Sequence, residues 1–165
     1  MDGAGQPELL LKSNNSAHTF HLKPSQIRMI SEAHLVITVD ENFEIGLKKA
    51  LKNISSDSLM YVSDIDNLKI YSARDSIFEE DEEHGHSNLD YHLWLSTENV
   101  LMIADRIASR LKDLDPSNEM TYVANLEQFN SKMDKLNLAL DEQLKSIQSK
   151  RIAVKTNSAE TDSYI

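Results

Sequence analysis

From Asp115-Pro116 to about Lys150 the chain contains no glycine and no further proline, and its apolar residues recur every three or four positions. The series is Tyr122, Leu126, Phe129, Met133, Leu136, Leu140, Leu144 and Ile147. That spacing marks one face of an α-helix. Aspartate followed by proline is a helix start, because proline has no N–H to leave orphaned in the first turn. One unbroken helix is therefore expected over residues 115–150, which is long for a chain of 165 residues. Its stripe suits either a coiled-coil seam or packing against its own domain, and the organised apolar runs upstream favour the second.

Upstream, short strand-like runs alternate with helical patterns. Residues 8–12 read as a buried strand, followed by the polar turn Ser13-Asn14-Asn15-Ser16. Pro24 opens a helix carrying Ile27, Ile30 and Ala33. Residues 34–40 are apolar and β-branched, too short for a helix, and read as a second strand. Phe43, Leu47, Ala50, Leu51 and Ile54 form the face of a second helix, and residues 59–62 a third strand. Lys69-Ile70-Tyr71 reads as a minor strand. Order resumes over residues 89–95, and Thr97 is expected to cap a helix with the stripe Val100, Ile103, Ala104, Ile107, Leu111 and Leu114. Alternation of this kind predicts an α/β fold: a small parallel sheet flanked by helices, with the long helix at its C-terminal end. Residues 1–114 are expected to form one lobe, 115–150 the long helix, and 151–165 a polar tail without pattern.

Acidic residues outnumber basic ones by 27 to 17, a net charge of −10. A surface of that sign repels phosphate backbones and disfavours nucleic acid as a partner. There is no cysteine, which excludes disulfides, thiolate metal sites and cysteine nucleophiles. No apolar run approaches the ~20 residues that span a bilayer, so no membrane insertion is expected. Residues 1–5 have neither the basic nor the apolar region of a secretory signal. Enzyme motifs are missing as well: there is no GxSxG, no HExxH and no glycine-rich phosphate loop, and only four glycines are present. No enzymatic activity is expected.

The chemistry falls to histidines. His18 follows the polar turn beside an aromatic residue, and His92 lies in Asp90-Tyr91-His92-Leu93-Trp94-Leu95. Neutral imidazole is the commonest protein ligand for zinc and its neighbours, so both are candidate metal ligands. Each also reads as a histidine satisfied by nearby backbone or side chains, and no local HxxxH spacing joins them. Glu79-Glu80-Asp81-Glu82-Glu83-His84-Gly85-His86 is a charged segment too self-repelling to fold alone. His84 and His86 are candidates for a loose auxiliary metal loop, weakened by the entropy lost on chelation. His21 and His34 read as structural.

Several of these segments resemble the N-terminal lobe of the zinc/manganese-type substrate-binding proteins of ABC transporters. The matching pieces are Gly5-Gln6-Pro7-Glu8-Leu9-Leu10, Ala17-His18-Thr19-Phe20 with Lys23-Pro24-Ser25, and Ala33-His34-Leu35-Val36. Glu44, Asp90-Tyr91-His92-Leu93-Trp94-Leu95, and Asp115-Pro116-Ser117-Asn118 with Tyr122, Asn125 and Phe129 follow in the family's order. The resemblance implies that His18 and His92 are the two histidine ligands of this lobe, and that the long helix is the spine between lobes. The acidic segment before His92 resembles a shortened form of the zinc-type histidine-rich loop, which favours zinc over manganese as the metal. It also implies a periplasmic protein that delivers its ion to an ABC permease. Departures stand beside it: Asp40 replaces a customary glycine, His34 a usual aspartate, and Tyr91 and Thr97 residues that are often proline. The family's signal peptide, first strand and second lobe have no counterpart here, so a chain complete as written would stay in the cytoplasm. Two functions follow as expectations: a zinc-binding component of a receptor, truncated, or a non-binding interaction piece such as one half of a split receptor joined to a separately encoded second lobe.

Overall fold

Pro24 sits at the first position of helix α1 (Pro24–Glu32), and Gln26 Oε1 turns back to accept the backbone N–H of Lys23 at 2.9 Å. The side-chain amide of the same glutamine donates to the Leu10 carbonyl at 2.7 Å. The computed structural model describes residues 1–11, 20–72 and 89–147. Within them, the N-terminal run expected to be a buried strand is no strand. Leu9 is 82% exposed, and the Leu10 carbonyl is taken by Gln26 rather than by a sheet ladder. Leu10 and Leu11 still pack on the core formed by Phe20, Ile30, Leu47 and Leu51.

Strand β1 (Val36–Thr38) pairs in parallel with β2 (Leu59–Tyr61), with Ile37 opposite Met60. Both strands are shorter than their apolar runs. The connection was expected to be a helix over residues 43–54; it is a 3-10 turn (Ile45–Leu47) running into the short helix α2 (Lys48–Leu51). The apolar face is nonetheless the expected one, since Phe43, Leu47 and Leu51 are all buried. The helix starts late because the preceding residues are tied to β1. Glu44 Oε2 accepts from the Thr38 hydroxyl and from the Val39 amide, and the Phe43 and Glu44 amides return to the Asp40 carbonyl.

A second small sheet pairs β3 (Tyr71–Ser72) with β4 (Leu89–Asp90) in antiparallel fashion, Tyr71 opposite Asp90. The minor strand expected at 69–71 thus begins two residues later, at Tyr71, and lies outside the parallel pair. Helix α3 (Thr97–Leu114) is capped by Ser96, whose hydroxyl accepts the Asn99 amide at 3.3 Å; Thr97 is the first helical residue rather than the cap. Asp115 and Pro116 then lead through one 3-10 turn (Pro116–Asn118) into helix α4 (Glu119–Leu144), the long C-terminal helix. The α3 stripe Val100, Ile103, Ala104, Ile107 and Leu111 faces Tyr122, Leu126 and Phe129 of α4 across a groove of about 440 Å³, with Met1 and Asp2 at its edge. Leu114, expected in that stripe, is 44% exposed. Beyond Phe129, α4 carries the exposed leucines Leu136, Leu138, Leu140 and Leu144. The architecture is α/β as expected. Residues 148–165, including the expected end of the helix and the tail, lie outside the described residues. No helix among the described residues is long and apolar enough to cross a membrane.

Candidate metal centre

The segment after β4 alternates inward and outward. Tyr91 and Leu93 are buried, while the intervening His92 is turned partly outward, its side chain 29% exposed. Leu95 closes the following 3-10 turn (Leu93–Leu95) by bonding its amide to the His92 carbonyl at 3.1 Å. A turn this short cannot hold itself, and the latch is Asn99 in the first turn of α3. Its amide group donates to the Leu93 carbonyl at 3.1 Å and the Lys69 carbonyl at 2.9 Å, while its Oδ1 accepts the Lys69 amide at 2.8 Å. Asn99 is almost wholly buried, where every one of those polar groups needs its partner.

Against the imidazole stand one carboxylate and the rings of Phe43 and Trp94. Asp90 Oδ1 lies 2.9 Å from the His92 amide nitrogen and 2.7 Å from the ring Nδ1. Phe43 meets the imidazole edge to face at a centroid distance of 5.4 Å, and Trp94 lies 5.3 Å from it. Phe43 also packs on Trp94 at 5.7 Å and on Tyr91 at 6.3 Å. An imidazole held by a carboxylate on one nitrogen, within an apolar wall, is the arrangement in which histidine ligates metal ions.

Phe43 belongs to the stretch between β1 and α2, and that stretch is tied to the residues following His18. Phe20 is buried, and Gly46 lies so close that an added Cβ would sit 2.5 Å from the Phe20 carbonyl oxygen. Only a residue without a side chain permits that approach. The three acids around Phe43 are committed elsewhere: Glu44 to Thr38 and Val39, Asp40 to the Ser63 hydroxyl at 2.6 Å and the Asn42 amide at 2.8 Å, and Glu41 to Lys48 at 3.6 Å.

Of the histidines singled out from sequence, His92 is described, and His18, His84 and His86 lie outside the described residues, as does the acidic segment before His92. His21 and His34 are both exposed. Among the described residues no three His, Asp or Glu side chains converge in a metal-binding group. Two residues of the setting had gone without a role in the sequence. Asp90 lies in the segment around His92, and an acid two positions before a histidine is itself a signal of an Asx-type bond. Asn99 offered no signal, since its partner Lys69 is remote in sequence.

Known proteins share both the sequence pattern and the fold. The family model for the zinc-uptake complex component A, periplasmic, matches residues 1–161. The high-affinity zinc uptake system protein ZnuA of Yersinia pestis is 26% identical, over 90% of this chain and 52% of its own length. A crystal structure of ZnuA superposes with a TM-score of 0.68 at 29% identity, over 86% of this chain and 52% of that one. A zinc-bound ZnuA deletion mutant gives a TM-score of 0.67 at 27% identity, over 84% of this chain and 50% of that one. The chain spans about half the length of the curated relatives it matches. It belongs to the zinc-uptake complex component A family, a family of periplasmic substrate-binding proteins.

Proposed function

We propose that the chain is a zinc-binding component resembling the solute-binding protein of a zinc-uptake ABC transporter, with His92 and His18 as its two imidazole ligands. The observation that carries this reading is the Asp90–His92 unit beside Phe43 and Trp94, in a chain that belongs to a zinc-uptake family. The packing of Phe20 on the stretch that contains Phe43 supports a role for the His18 segment, because it ties the two regions through one short connection. Zinc is the cargo and not a resident cofactor. The chain acts by holding the ion, not by catalysis, in the periplasm, and hands it to an ABC permease. His84 and His86 add a weak auxiliary hold on divalent ions in the acidic segment. Manganese is the lesser candidate, because imidazole donors bind it more weakly than zinc.

Two imidazoles hold zinc more weakly than a closed four-ligand site. Truncating either one is expected to cost at least about tenfold in affinity, or about 1.4 kcal/mol. The test is calorimetric zinc titration of the wild type, His18→Ala and His92→Ala, with manganese run in parallel. The single tryptophan lies against the His92 ring, so its fluorescence gives a second readout. Identical isotherms for all three proteins would sink the ligand assignment. They would favour the rival reading, a non-binding interaction piece or one half of a split receptor.

A further inference from the structure

We propose that Asp90 is the positioning residue of this site: its carboxylate fixes the tautomer and the orientation of His92, so that Nε2 is presented as the electron-pair donor. The proposal deepens the zinc reading above and rests on it for its consequence, though not for its first observation. One oxygen of Asp90 takes two bonds, from the His92 amide at 2.9 Å and from ring Nδ1 at 2.7 Å. The first bond sets the backbone between the two residues, and the second sets the ring relative to that backbone. A carboxylate has no hydrogen to offer, so the nitrogen facing it is the one that carries the proton. The lone pair is then on Nε2.

The carboxylate is itself held in place. Asp90 ends β4, opposite Tyr71 of β3, and its side chain is only 15% exposed. Phe43 and Trp94 pack against the ring at centroid distances of 5.4 and 5.3 Å and restrict its rotation about the Cβ–Cγ bond. A metal ion meeting this histidine finds one tautomer and one ring position already selected. Without the carboxylate, the same imidazole would divide its population among tautomers and rotamers, and each ion bound would bear that cost. Loss of such an outer partner lowers metal affinity by roughly 10–100-fold with no ligand removed.

The experiment uses the full chain, uniformly labelled with ¹⁵N, at a pH of about 8, where an ordinary imidazole is neutral. Long-range ¹H–¹⁵N correlation spectra of the zinc-free protein report which ring nitrogen of His92 is protonated. The wild type is expected to show the Nδ1–H form, and Asp90→Ala a shift towards Nε2–H. Zinc affinity of Asp90→Ala is expected to fall roughly 10–100-fold. A purely structural role for Asp90 would leave the tautomer unmoved while backbone amides shift, so the ring nitrogens separate the two. An Nε2–H wild type overturns the proposal, and so does an Asp90→Ala protein with unchanged tautomer and affinity. The wild-type spectrum alone decides the point if Asp90→Ala does not fold. A chain that binds no zinc but shows the Nδ1–H form overturns the zinc reading and upholds the role of Asp90.

Discussion

The region around His92 and the α3–α4 hairpin are held together by different physics. Around His92 there is little regular structure: a two-residue strand, a 3-10 turn and the first turn of a helix. Single polar side chains do the fastening, each bonding to backbone groups that no ladder reaches. Asn99 latches residues 69 and 93, Glu44 ties the entry of α2 to the end of β1, and Asp90 ties His92 to β4. In the hairpin the backbone satisfies itself within two helices, and the fastening is an apolar stripe running from Val100 to Leu111 against Tyr122 to Phe129. The first design concentrates stability in a few atoms; the second spreads it over many. A ligand needs the first kind, because a few directional bonds fix a ring to a fraction of an ångström where apolar contact alone lets it slide.

The sharpest way to break that comparison is Asn99→Ala. It leaves the buried Leu93 carbonyl, and with it the amide and carbonyl of Lys69, without their partner. The expected loss is about 2–4 kcal/mol, read as a fall in the urea midpoint, because an orphaned buried polar group costs more than the bond it replaces. Zinc affinity should fall with it, since the Leu93 carbonyl belongs to the turn that His92 begins. A variant as stable as the wild type would mean that the apolar contacts of Leu93 and Tyr91 hold the segment alone.

Gly46→Ala probes the same region by steric means and should cost somewhat less, about 1–3 kcal/mol. Its new methyl group would stand 2.5 Å from the Phe20 carbonyl oxygen and 3.1 Å from the Phe20 ring. Backbone oxygen does not yield as a side chain would, so the connection bearing Phe43 must move. Chemical denaturation measures the loss, and Trp94 fluorescence should change with it because Phe43 packs on that ring. An unchanged midpoint would show that the approach of residue 46 to Phe20 relaxes freely.

The same contrast explains what could be read from the amino-acid order. Periodic apolar residues disclose helices that pack by stripes, so α3 and α4 were legible, with Pro116 and the 96–97 boundary placed within a residue. Phe43, Leu47 and Leu51 were legible as a buried face for the same reason, although the helix that bears them is far shorter than its pattern. Its first residues are claimed by Glu44 and by the Asp40 carbonyl, and such side-chain bonds leave no periodic trace. Residues 8–11 failed in the opposite direction: they are apolar enough for a strand, yet the Leu10 carbonyl has Gln26 as its partner, not a neighbouring strand. His92 stood out as a ligand candidate through its context and through the family resemblance. The carboxylate that orients it lies two residues away, and among 27 acidic residues that spacing is the one signal it carries.

The smallest effect belongs to the polar corner of the hairpin, and pH is the way to reach it. The Asp115 carboxylate accepts from the Asn118 side chain at 2.7 Å and the Tyr122 hydroxyl at 2.9 Å, and these bonds hold its pKa below the ordinary 3.8. A depressed carboxylate binds its proton more readily in the unfolded chain, so its contribution to stability is present above pH 3.8 and is lost as pH falls through the folded value. Tyr122 has the opposite sign. Burial first, and then the bond to Asp115, raise it above 10.0, so its contribution is present below that pH and is lost as pH rises through the folded value. Asp115→Asn should therefore be less stable than wild type near neutrality by less than Asn99→Ala is, and the gap should close in acid. Paired denaturation curves from pH 7 down to about pH 2 measure it. A gap that stays constant across that range would assign the cost to lost packing at the start of α4 and not to the charge. A gap as large as that of Asn99→Ala would erase the distinction between the two regions, because the hairpin too would then hang on a single polar latch.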